Sequence, residues 1–138
     1  MAEGGKIMRI LKKTVLLLMA IIFAASLATG PAAEARSWYW LVSNDYDSIY
    51  FDTETAYRES DRAVRCWVKM DHSTGTFDVA DIRYRNTNHR IYMYIGDVYH
   101  YSADKRLEGH QFGNWRSMLL APGMIGYTAA IKIIQMVP

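Results

Sequence analysis

Apolar and polar residues alternate strictly along three stretches of the chain. Between Arg62 and Met70, Val64, Cys66, Val68 and Met70 fall on one side, and Arg65, Trp67 and Lys69 on the other. Phe77–Arg85 repeats the pattern, with Ala80, Ile82 and Tyr84 opposite Asp81, Arg83 and Arg85. In Arg90–Ile95, Ile91, Met93 and Ile95 oppose Tyr92 and Tyr94. A period of two marks half-buried strands. The separating segments, Asp71–Gly75 and Asn86-Thr87-Asn88, are short enough to join antiparallel neighbours. Two earlier pieces, Ser37–Ser43 and Ser48–Phe51, read as strands around a turn at Asn44–Asp47. Asp52–Thr55 reads as a turn or one helical turn, with Asp52 placed to cap backbone amides.

Beyond Ile95 the pattern loosens. Gly96-Asp97 reads as a turn, Val98–Ser102 as a short strand, Ala103–Asn114 as a polar loop and Trp115–Leu120 as a short apolar piece. After Pro122-Gly123, the segment Met124–Gln135 fits two periods. Tyr127, Ala130, Ile131 and Ile134 recur at helical spacing, and Tyr127, Ala129, Ile131 and Ile133 alternate as in a strand. The proline before it and the paired alanines favour the helix. The expected fold is α+β: a small antiparallel sheet, a meander of about six strands, with a C-terminal helix packed on one face.

The first 35 residues follow different rules. Lys6, Arg9, Lys12 and Lys13 precede an apolar run from Val15 to Leu27, then Gly30-Pro31 and Ala33-Glu34-Ala35. That order is a secretory signal with a small-x-small cleavage site. The run is shorter than the roughly 18–20 residues of a membrane span, and no basic flank follows it. The expectation is a cleaved signal over 1–35, with Met1 or Met8 as the start, and a single domain over 36–138. After cleavage no transmembrane span is expected, and the domain would be secreted, periplasmic or on the cell surface.

Charge and cysteine usage narrow the partners. Four of the chain's 16 Lys and Arg and two of its 14 Asp and Glu lie before Arg36, leaving 12 of each afterwards. A neutral domain lacks the basic surface that nucleic acid requires. Cys66 is the only cysteine, so no internal disulfide forms. All four Trp and all ten Tyr follow residue 35, an aromatic density suited to strands and to an interaction surface.

A Trp-rich first strand, the short strand Ile49-Tyr50-Phe51-Asp52, the later Trp67-Val68-Lys69, a Tyr-rich hairpin, Trp115 and Pro122-Gly123 follow in order. This order resembles the surface-adhesin protein E-like domain of exported bacterial proteins, over most of residues 38–130. The resemblance implies a small antiparallel sheet with a helix. It also implies a non-enzymatic role in binding host extracellular or envelope proteins. The chain lacks the lipid-anchor cysteine or cysteine pair found in many exported members of such families.

Catalytic and metal chemistry finds little support in the spacing. His72, His89, His100 and His110 are far apart, with no pair at i, i+2 or i, i+4 beside a third ligand. Asn44-Asp45-Tyr46-Asp47 opens like a calcium loop but lacks the glycine and glutamate such a loop needs. Gly-x-Ser-x-Gly is absent, and Cys66 lies on the apolar side of its strand. Neither cofactor nor metal is expected. His110 with Glu108, or His89 with Arg90, would serve a small secreted hydrolase only if the fold brought them together. The third alternative is a structural partner in an envelope complex that adds a strand at a sheet edge. The cluster that stands out is basic and aromatic: Arg65, Trp67, Lys69, Arg83, Arg85, Arg90, Tyr92 and Tyr94. Arg, Tyr and Trp are the residues enriched at binding hot spots, so this set is the expected partner-binding surface. The competing expectation is a solvated sheet face whose arginines stack on aromatics and pair with Asp81.

Overall fold

A computed structural model of the chain describes residues 36–138. The signal read over 1–35 lies outside them. The described residues form eight strands and one helix, in the order β1 (Trp38–Ser43), β2 (Asp47–Asp52), β3 (Tyr57–Ser60), β4 (Ala63–His72), β5 (Phe77–Thr87), β6 (Arg90–Tyr101), β7 (Leu107–Gln111), β8 (Arg116–Leu120) and α1 (Ile125–Met136). All strands join one antiparallel sheet in the order β1-β2-β4-β5-β6-β7. The short β3 pairs with β4, and β8 with β6.

The α+β architecture is as read from the periodicity, with two more strands than the six expected. Strand β4 is flanked on one edge by β2 over Val68–His72 and by β3 over Ala63–Arg65. On the far side, β6 is flanked by β7 over Val98–Tyr101 and by β8 over Ile91–Ile95. The three alternating segments form the long central strands. β5 and β6 meet at Asn88-His89, both with positive φ (51° and 63°), as a two-residue type I′ hairpin requires.

Two local readings are corrected, and one strand goes unread in the sequence. Gly96-Asp97 is not a turn but a β-bulge inside one continuous strand: β5 advances two residues from Ala80 to Ile82 while β6 advances three, between Val98 and Ile95. Ala103–Asn114 is not all loop, since it contains β7. Tyr57–Ser60, which shows no apolar alternation, is nonetheless a strand held by β4.

The helix settles the ambiguity at 124–135. Ala129, Ala130, Ile133 and Val137 are buried at helical spacing, with Tyr127, Ile131 and Ile134 packed beside them. Its β-branched residues are mediocre helix formers, so burial rather than propensity holds it. Arg58 closes its C-terminal end, donating from Nη2 to the carbonyls of Ile134 (2.7 Å) and Val137 (2.9 Å). Lys132 Nζ donates to the Leu41 carbonyl at 2.6 Å. The core beneath consists of Leu41, Ile49, Phe51, Val64, Cys66, Val68, Ile82, Tyr84, Ile91 and Leu120. Each fully buried aliphatic side chain there stabilises the domain by roughly 1.5–3 kcal/mol. Burial pushes the Cys66 thiol up to about 12, which keeps it protonated and unreactive.

Candidate functional site

The sheet has two unlike faces. On the face away from α1, Arg65 lies directly opposite Arg83 across β4 and β5, an arrangement that repels unless neutralised. Each arginine is neutralised by a two-pronged pair. Arg65 donates to Asp81 from Nε (3.0 Å) and Nη2 (2.7 Å), and Arg83 to Glu59 from Nε (2.6 Å) and Nη2 (3.0 Å). Trp115 touches both, its ring 4.8 Å from the Arg65 guanidinium and 5.1 Å from that of Arg83. Their hydrogen bonds to Asp81 and Glu59 hold the two guanidiniums above their ordinary pKa.

The loop before β8 makes this contact possible. Leaving β7, the chain crosses the Gly96-Asp97 bulge, with Gly113 N–H donating to Asp97 Oδ1 (3.0 Å) and Trp115 N–H to the Ile95 carbonyl (3.2 Å). Trp115 sits at φ 55°, a left-handed conformation unusual for its type, and lays its ring on Gly96.

The other half of this face is aromatic. Trp67 packs on Tyr99, Tyr99 stacks on His110 at 4.2 Å, and His110 meets Phe112 at 4.4 Å. Lys69 pairs with Asp71 (3.3 Å) and lies within 6 Å of the Trp38, Tyr50 and Phe77 rings. Tyr101 and Val79 are buried in this second small core.

The eight residues singled out in the sequence therefore share a face but not a condition. Arg65, Trp67, Lys69 and Arg83 are engaged within the domain. Arg85, Arg90, Tyr92 and Tyr94 lie together at its other end, around the β5–β6 hairpin, with Tyr92 opposite Arg85 and Tyr94 opposite Arg83. Arg85 and Arg90 are exposed, and among the described residues neither has a carboxylate partner. Exposed Leu119, opposite Tyr92 on β8, extends the patch. An open hollow of about 310 Å³ lies beside it, lined by Glu59, Ser60, Ala63, Arg83, Arg85 and Tyr94.

The histidines are not all separate, which corrects the reading from their spacing. Asp47, His72, Asp78 and His100 form a hydrogen-bonded chain: His72 Nδ1 to Asp47 Oδ1 (2.8 Å), His72 Nε2 to Asp78 Oδ2 (2.8 Å), and His100 Nδ1 to Asp78 Oδ1 (2.5 Å). These residues stand on β2, β4, β5 and β6, where the registers Asp47↔His72 and Asp78↔His100 align them. Only the strand pairing carries that information. His89 stays in the hairpin turn and His110 in its stack. Among the described residues no group of three or more His, Cys, Asp or Glu is arranged to hold a metal.

The His72 imidazole is held above its ordinary pKa by its bond to Asp78, then by that to Asp47, against partial burial. A raised folded-state pKa contributes stability that is complete below the unfolded value near 6.5 and is lost as pH rises through the folded value. Urea midpoints should therefore fall between pH 6 and pH 8 in the wild type, and less in His72→Gln. Parallel pH profiles for the two proteins would exclude this coupling.

No helix among the described residues is long and apolar enough to cross a membrane. No family model matches the chain, and no curated protein or solved structure matches it.

Proposed function

We propose that this chain is an exported, non-enzymatic binding module of the bacterial cell envelope or exterior, adhesin-like in recognising a host or envelope protein. The site of recognition is the hairpin end of the sheet: Arg85, Arg90, Tyr92 and Tyr94, with Leu119 beside them. One observation carries this reading. Arg65 and Arg83 each face a carboxylate of the same domain, whereas Arg85 and Arg90 stand exposed without one among the described residues, next to two tyrosines. Unpaired guanidiniums beside amphipathic rings suit an acidic partner surface, the arginine forks giving orientation and the rings contact area. The signal read at 1–35 and the resemblance to the surface-adhesin protein E-like family favour the same reading.

The test is surface plasmon resonance of the 36–138 domain over a synthetic acidic peptide containing Glu and Tyr, and over immobilised extracellular-matrix proteins. Arg85→Ala, Arg90→Ala and Tyr94→Ala should each weaken binding by about tenfold while leaving the melting temperature unchanged. Binding should also weaken with salt. Equal binding by wild type and all three variants would refute the assignment.

One observation favours a second reading, strand addition in an envelope complex. Residues 116–119 of β8 are exposed, and β8 pairs only with β6 among the described strands. Loss of binding in Met118→Pro, with the arginine variants unaffected, would select it.

A further inference from the structure

The face under α1 is only partly covered. A 12-residue helix is about 18 Å long, and six strands spaced about 4.8 Å apart span about 24 Å. The helix packs chiefly on β1, β2 and β4. The inward apolar residues of β5, β6 and β8 therefore continue past it, and a cleft of about 310 Å³ opens between them and the first turn of α1.

The lining of this cleft is unusual in two ways. It contains four methionines, Met70, Met93 and Met118 from three different strands and Met124 from the turn before α1. Methionine is flexible and polarisable, and it recurs where a surface must fit a variable apolar ligand. The cleft also has a single charged lining residue, Asp78. Both Asp78 oxygens accept from imidazoles, and His72 is bound in turn to Asp47. With both imidazoles charged these four groups sum to zero, and with either neutral they are negative. The polar end of the cleft thus favours a cation over an anion.

We infer that this cleft binds an amphiphile with a single flexible apolar chain and a cationic amine head, the chain lying among the methionines and the amine at Asp78. The volume falls at the lower end of that found for small-ligand sites, and mostly apolar walls with one polar group at the end are their usual construction. This site is on the opposite face from the hairpin patch, so the two stand or fall separately.

The experiment is calorimetric titration of the 36–138 domain with n-octylamine, n-octanol and n-octanoate, each below its aggregation concentration. Octylamine should bind at one site, about tenfold more tightly than octanoate, with octanol between them. Asp78→Asn should abolish the preference for amine over alcohol while alcohol binding persists. Met118→Trp, at a position already 44% exposed and therefore tolerant, should fill the mouth and weaken all three ligands. Three results would overturn the inference: no binding by any of the three, octanoate bound as tightly as octylamine, or a dimer in sedimentation analysis that Met118→Trp dissociates. The second would place the anchor at the start of α1, and the third would make the occupant another copy of this chain.

Discussion

Replacing Gly113 with alanine is expected to destabilise the domain by about 3 kcal/mol, lowering its melting temperature by roughly 12–20 °C. A methyl group at this position overlaps the backbone of Gly96, which no rotamer change relieves. Gly96 in turn carries the Trp115 ring, and an added Cβ there would meet it at 2.6 Å. The two glycines let the chain cross the bulge in contact with β6, and that crossing sets Trp115 against Arg65 and Arg83. Relieving the overlap requires the crossing to lift. The Gly113–Asp97 and Trp115–Ile95 hydrogen bonds then lengthen, and the two opposed arginines lose the ring beside them. Gly109→Ala is the matched control, because its added methyl meets His100 at an ordinary 3.5 Å and should cost under about 1 kcal/mol. Melting curves of the two variants that coincide would show that the crossing is not tight.

How much of this was legible beforehand depends on the range of the interaction concerned. The central strands β4, β5 and β6 announce themselves because each buries one face continuously, so apolar residues recur at every second position. Cys66 could be placed in the core on that ground alone, and so could the shared orientation of Arg65, Trp67 and Lys69. The bulge could not. Gly96-Asp97 has the composition of a turn, and what makes it a bulge is the approach of Gly113, 17 positions later in sequence. Strands β3 and β7 escape for a related reason. They lie outside β4 and β6, bury little, and so carry no periodic signal.

The candidate site divides in the same way. Residue type and strand parity gather all eight basic and aromatic positions on one face. They do not distinguish the arginines that have carboxylates from those that lack them. That distinction depends on Glu59, which belongs to the strand without a pattern, and on Trp115, delivered by the crossing. The Asp47–His72–Asp78–His100 chain was hidden because its members are up to 53 positions apart and meet only through three strand registers. The cleft beside it follows from a mismatch of sizes, since a short helix cannot cover a sheet this wide.

Asp52→Ala is the second substitution with a large expected effect, about 3 kcal/mol. Asp52 is 1% exposed at the end of β2 and closes the turn into β3. Its Oδ1 accepts from the backbone N–H groups of Ser37 and Glu54, both at 3.2 Å. Its Oδ2 accepts from the Thr55 hydroxyl at 2.7 Å and from Arg36 Nη1 at 3.2 Å. Burial raises the carboxyl's pKa, but the hydrogen bonds from Thr55, Arg36 and Glu54, with the Arg36 charge, outweigh it and leave the pKa below the ordinary 3.8. The sign of the pH dependence follows: a depressed folded-state pKa contributes stability above 3.8 that is lost as pH falls through the lower folded value. Alanine removes the acceptor and leaves the donors of Ser37, Glu54 and Thr55 in a partly buried turn. Asparagine keeps one oxygen, loses the charge, and should recover part of the stability at neutral pH. Urea unfolding at pH 7 should therefore rank wild type above Asp52→Asn and Asp52→Ala last. Between pH 7 and pH 3 the wild type should lose more of its lead over Asp52→Asn than of any lead over Asp45→Asn, a change at an exposed position. A wild-type lead over Asp52→Asn that stays constant down to pH 3 would mean that the carboxylate's charge contributes nothing, and that the turn is held by hydrogen bonding alone.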